Sequence, residues 1–120
     1  MRILMLEDND SRITMIEERC KARGWEFTYT KKVEEFAELI HASAYDVVLL
    51  DHDLGYEKTG IDAVGCMCAE QGNRARVYVH SANCVRAPEM VRCLRENFFK
   101  AHQIDFLSLW TGMKDLEWTP

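Results

Sequence analysis

Short apolar runs alternate along this chain with longer segments whose apolar residues recur at helical spacing. That alternation restricts it to a parallel sheet covered by helices on both faces. The clearest run is Asp46–Leu50 (DVVLL), which reads as a strand buried on both sides. Arg2–Leu6 (RILML) reads as a first buried strand, Trp25–Thr30 as a second, Val77–Val79 as a fourth and Ile104–Leu109 (IDFLSL) as a fifth.

Between them, residues 11–23 place Ile13, Ile16 and Cys20 on one helical face, with Asp10 or Ser11 as the cap and Gly24 as the stop. Lys32–Ala42 reads as a second helix and Gly60–Gln71, ending at Gly72, as a third. A fourth carries Pro88 in its first turn and runs to about Phe98. The tail from Trp110 to Pro120 is too short and broken for another full helix. Five strands with helical crossovers predict a flavodoxin-like doubly wound α/β sheet of order 2-1-3-4-5. Its fifth helix is expected to be shortened or missing. Residues 1–120 read as one domain.

Composition narrows the function classes. The net charge of −5 disfavours bulk nucleic-acid binding. No apolar stretch approaches the roughly 20 residues needed to cross a bilayer. The cysteines are Cys20, Cys66, Cys68, Cys84 and Cys93. Their odd number and the absence of a leader pattern predict free thiols and a cytoplasmic setting. Cys66 and Cys68 lack the second ligand pair of a structural zinc site.

In a doubly wound sheet, ligands bind at the carboxyl ends of the strands, beside the point where strand order reverses. Three polar segments fall there: Glu7-Asp8-Asn9-Asp10, Asp51-His52-Asp53-Leu54-Gly55 and His80-Ser81-Ala82-Asn83. Neighbouring first and third strands would crowd Glu7, Asp8 and Asp51 together. Carboxylates that close repel unless a proton or cation lies between them. Oxygen ligands favour a hard cation, Mg²⁺ or Mn²⁺ in its place.

The residues resemble the receiver domain of two-component response regulators over nearly the whole chain. The likeness rests on the acidic pair Glu7 and Asp8, Asp51 after an apolar third strand, Thr59-Gly60 opening the third helix, and Ser81-Ala82 ending the fourth strand. The resemblance implies Mg²⁺ held by Glu7, Asp8, Asp51 and the backbone carbonyl of Asp53. It also implies phosphoacceptor chemistry at Asp51 and a phosphoryl contact from Ser81. The strings DHDLG (Asp51–Gly55) and HSAN (His80–Asn83) are similar to those of the cyclic-phosphate-processing receiver family.

Two departures from ordinary receivers stand out. No lysine follows the expected fifth strand, where Leu107–Gly112 stands, and the fifth helix looks abbreviated. Both weigh against ordinary phosphorelay signalling. Hydrolysis of a cyclic phosphate or small nucleotide needs an activated water, neutralised phosphoryl oxygens and a proton donor. Asp51, His80, Ser81 and His52 are the catalytic candidates. Ser81, Asn83 and Arg86 are the substrate-binding ones.

Each of these residues also has a structural use. His80 suits a satisfied core position, and His52 should point away from Asp51. Asp53 suits a turn, Asn83 a helix cap, and Arg86 a solvated loop. Trp110 is either a stacking platform at the site's mouth or packing. A signalling receiver phosphorylated on Asp51 and a non-catalytic nucleotide- or partner-binding module are the alternatives. The expected partner is a phosphorylated small molecule or nucleotide, with no membrane, and both monomer and homodimer remain open.

Overall fold

The computed structural model describes residues 1–70 and 75–114. In chain order it holds β1 (Arg2–Leu6), α1 (Asp10–Arg23), β2 (Glu26–Thr30), α2 (Val33–Ala42) and β3 (Val47–Leu50). It continues with α3 (Gly60–Ala69), β4 (Arg76–Val79), α4 (Arg86–Glu96), β5 (Ala101–Gln103) and α5 (Phe106–Lys114). All the strands pair in parallel, in the order β2-β1-β3-β4-β5. This is the flavodoxin-like sheet expected.

Side-chain alternation splits the core between the two faces of the sheet. Leu4, Leu6, Val48, Leu50, Val77 and Val79 pack under α2, α3 and α4. Ile3, Met5, Val47 and Leu49 pack with Ile13 and Ile16 of α1 and Leu109 and Met113 of α5. Asn9, rather than Asp10 or Ser11, caps α1, its side chain accepting from Arg12 N at 3.0 Å. Gly24 closes that helix at φ 71°, a backbone state that costs glycine little.

The carboxyl-terminal reading needs correction. The fifth strand is Ala101–Gln103, not Ile104–Leu109. Asp105 accepts from Ser108 N at 3.0 Å and from Ser108 Oγ at 2.6 Å, and this local cap starts a helix. Leu109 and Met113 are buried at helical spacing. The fifth helix is therefore present, nine residues long in its described part. Gln71 and Gly72, expected to end α3, and Trp118 of the tail lie outside the described residues.

Candidate functional site

Register places the site. Leu6 pairs with Leu50, and Leu50 with Val79, so the next residue of each strand forms a new row. Glu7 N donates to Thr30 O at 3.1 Å and Asp51 N to Leu6 O at 3.1 Å. His80 N donates to Leu50 O at 2.9 Å and Ile104 N to Val79 O at 3.0 Å. The row therefore runs Glu7, Asp51, His80, Ile104. Because Leu6, Leu50 and Val79 face α2 to α4, this row turns toward α1 and α5. Glu7, Asp51 and His80 are all buried.

Ligand oxygens of Glu7, Asp8 and Asp51 lie within 4.8 Å of one another. Glu7 Oε2 accepts from Asp8 N at 3.0 Å and Asn9 N at 3.3 Å, while Oε1 is buried without a hydrogen bond. Burial first, then the adjacent Asp51, pushes the Glu7 carboxyl up to about 8. Burial also raises Asp51, against the contacts from Glu7 and from His52 N that favour its ionised form. Burial thus favours the protonated, neutral form of Glu7 beside Asp51. A buried acidic group with an orphaned oxygen beside two further carboxylates suits a hard divalent cation, which would take that proton's place.

His80 stands against this group with Nδ1 3.7 Å from Glu7 Oε1. Neither ring nitrogen has a hydrogen-bond partner among the described residues. Burial, then the nearby Arg12 charge, pushes the imidazole down to about 3, so it is neutral. Phe106 meets it edge-on at 6.0 Å.

The other expected residues are distributed around this centre. His52 faces the α3 side, as alternation predicts; its O accepts from Gly60 N at 2.9 Å and its Nδ1 lies 2.9 Å from Asp53 Oδ1. Asp53's side chain is 65% exposed, and its carboxylate serves His52. Ser81 Oγ accepts from Asn83 N at 3.1 Å. Asn83 Oδ1 accepts from Val85 N at 3.1 Å and Arg86 N at 2.8 Å, opening α4. Arg86 pairs with Glu89 at 2.7 Å. Ser81 also lines a cleft of about 580 Å³ with Ala82, Cys84, Gln103, Ile104 and Ser108.

Trp110 is used in packing. It lies on α5, where the Arg19 guanidinium sits 3.9 Å over its ring. With β5 located, the residue in the lysine's row is Ile104, and Lys100 stands at the other end of that strand. Sequence reasoning passed over Arg12, whose Nη1 lies 3.5 Å from Glu7 Oε1. Only the seat of Arg12 in α1's first turn, one turn from the acidic pair, could have marked it. It also missed how tightly Gly60 closes on Asp51. A Cβ there would meet Asp51 O at 2.3 Å.

Among known proteins, the family described as the cyclic-phosphate processing receiver domain matches residues 2–96. The chain belongs to that family. The match spans β1 through α4 and stops before β5 and α5. No curated protein matches this receiver domain.

Solved structures share its fold. The phosphorylated cyanobacterial phytochrome response regulator RcpA is 21% identical, with TM-score 0.73, over 97% of this chain and 90% of its own. The receiver domain of a sensor histidine kinase from Pseudomonas aeruginosa, with magnesium in its active-site cleft, is 19% identical. Its TM-score is 0.71, over 95% of this chain and 94% of its own. The response regulator TrrA of Thermotoga maritima, in complex with Mg²⁺ and BeF, is 19% identical, with TM-score 0.72, over 96% and 97%. At these identities the likeness is one of fold.

Proposed function

We propose that this receiver domain binds Mg²⁺ through Glu7, Asp8 and Asp51 and processes a phosphate ester there, a cyclic phosphate or small nucleotide being the substrate class. The observation that carries this reading is the buried Glu7–Asp51 pair with Asp8 beside it, with Glu7 Oε1 left without a hydrogen bond where a cation fits. When bound, the ion would supply Lewis-acid neutralisation of phosphoryl oxygens and lower the pKa of a water.

The chain's own groups do the rest. Glu7 would give up its proton to a bound cation, and Asp51, at the end of β3, would hold the same ion. His80, neutral and enclosed, stands beside the Glu7 carboxyl at 3.7 Å. Ser81 keeps its hydroxyl hydrogen for a phosphoryl oxygen, because Oγ accepts its internal bond. The Asn83 carboxamide N–H group also remains for such a contact, since Oδ1 makes the cap. Opening a cyclic ester by water forms one P–O bond, breaks another, and moves one proton to the leaving alkoxide. His52, held by Asp53, is the remaining acid–base candidate in this reading.

A second reading has its own support. Asp51 occupies the end of β3 in a fold shared with a phosphorylated response regulator, and a signalling receiver phosphorylated on Asp51 fits that frame. The two separate cleanly. Incubation with Mg²⁺ and a panel of 2′,3′-cyclic and cyclic oligonucleotide phosphates, followed by chromatography, should show turnover that Asp51→Ala abolishes. Incubation with acetyl phosphate, followed by intact mass, tests the second. A phosphorylated Asp51 without turnover of any cyclic ester would overturn the hydrolytic reading.

A further inference from the structure

An anionic phosphate ligand above three carboxylates needs positive charge from the protein as well as from a metal. The row offers none: Ile104, an apolar residue, fills its β5 position. Three basic side chains among the described residues are engaged with other carboxylates. Lys31 Nζ is held by Asp10 Oδ1 at 2.5 Å, Lys58 by Glu34 at 3.2 Å, and Arg86 by Glu89 at 2.7 Å. Among the described residues, Arg12 is the only Lys or Arg paired with any member of the Glu7, Asp8, Asp51 trio.

The seat of Arg12 is built. Its backbone N is fixed by the Asn9 cap at 3.0 Å. Its guanidinium lies over the Phe106 ring at 5.5 Å, and the same ring touches His80. Cation–π stacking of this kind sets the plane of the fork. The contact to Glu7 Oε1, at 3.5 Å, is not a hydrogen bond, and the guanidinium makes none among the described residues. Its side chain is 38% exposed. A planar set of unused donors, steered by an aromatic ring and open on one side, matches an oxyanion.

We propose that Arg12 is the phosphoryl-binding cation of this site, delivered from α1 and steadied by Phe106 of α5, in place of a cation at the end of β5. The proposal rests on the reading of the trio as a Mg²⁺-dependent phosphate site and adds the group that would recognise the anion.

Calorimetric titration with Mg²⁺ alone comes first, followed by ³¹P NMR titration of the Mg²⁺-loaded protein with inorganic phosphate. Arg12→Gln should weaken phosphate binding about tenfold or more, as expected for loss of a charge-assisted contact. Arg12→Lys should recover part of it. Mg²⁺ affinity in Arg12→Gln should equal or exceed that of the native chain, because a positive charge has left the cation's surroundings. Phe106→Leu, which keeps the arginine but removes its platform, should lose several-fold in phosphate affinity with Mg²⁺ binding intact.

Unchanged phosphate affinity in Arg12→Gln would overturn the proposal and leave the metal site standing. A parallel loss of Mg²⁺ and phosphate in a variant with a native melting curve would make Arg12 a structural counter-ion of Glu7, also overturning it. A native chain that binds neither probe would overturn the reading of the site itself.

Discussion

His80 Nδ1 and Glu7 Oε1 face each other at 3.7 Å, with both side chains wholly buried. The two have shifted in opposite directions, Glu7 up to about 8 and His80 down to about 3. Each is therefore neutral around pH 7. Burial drives both shifts, since it penalises whichever form is charged. The pair is an uncharged contact, and a bound cation would draw the proton from Glu7.

The pH dependence of stability follows from these shifts. From 4.5, the ordinary value of a glutamate, to about 8, folded Glu7 holds a proton that the unfolded chain has lost, so stability falls as pH rises. From about 3 to 6.5 His80 does the reverse, because the unfolded imidazole is protonated and the folded one is not. The two oppose each other between 4.5 and 6.5, and above 6.5 the Glu7 contribution stands alone. The metal-free melting temperature should therefore drop between pH 6.5 and about 8, measured by circular dichroism. Saturating Mg²⁺ should remove the drop. A melting temperature that rises over this range would contradict the assignment.

Glu7→Gln replaces the protonated acid with a neutral group of similar shape. At pH 8 the metal-free variant should be more stable than the native chain by on the order of 1–3 kcal/mol, since no buried charge is left uncompensated. Its Mg²⁺ affinity should fall at least tenfold by calorimetry. A variant that gained stability yet bound Mg²⁺ normally would show that Glu7 is no ligand.

Gly60→Ala tests how the β3–α3 loop holds Asp51. The added methyl would meet Asp51 O at 2.3 Å, Met90 Cε at 2.6 Å and His52 Cα at 2.9 Å. Met90 is a flexible side chain and can give way, but two of the three atoms are backbone. A loss of about 1–3 kcal/mol is expected, as for an overpacked core. Urea unfolding would measure it. The Mg²⁺ affinity should drop with it, because the atoms displaced belong to Asp51 and its neighbour.

Trp110→Phe separates packing from ligand contact. The indole is covered by Arg19 at 3.9 Å, and Arg23 Nη1 donates to Met113 O at 3.0 Å further along the same helix. These contacts tie α1 to α5. The substitution should cost about 1 kcal/mol, in the range of a cation–π contact with some lost packing, and leave Mg²⁺ and phosphate affinities unchanged. A selective loss of phosphate binding would return Trp110 to the site.

Much of this molecule could be read before it was folded. Runs such as RILML and DVVLL are apolar at every position or nearly so, and only a strand buried on both faces uses them. From that followed the parallel sheet, the strand order and the placing of Glu7, Asp8 and Asp51 at adjacent strand ends. β5 was not legible in the same way. It is an edge strand of three residues, Ala-His-Gln, with only Ala101 buried, and its pairing with β4 decides it. The apolar residues after it looked like a strand because Ile104 and Phe106 alternate. The Asp105 cap, with Leu109 and Met113 four apart, turns that stretch into α5.

Sequence by itself determined which residues meet at the carboxyl edge of the sheet, since strand ends are set by where apolar runs stop. Tertiary structure decided which way they turn and what faces them. Leu6, Leu50 and Val79 commit one face of the sheet to α2 through α4, so Glu7, Asp51 and His80 must turn to the other. There α1 brings Arg12 and α5 brings Phe106, from positions 94 residues apart in the chain. Local patterns act over a few residues, whereas that encounter depends on how two helices pack across the same face of a sheet.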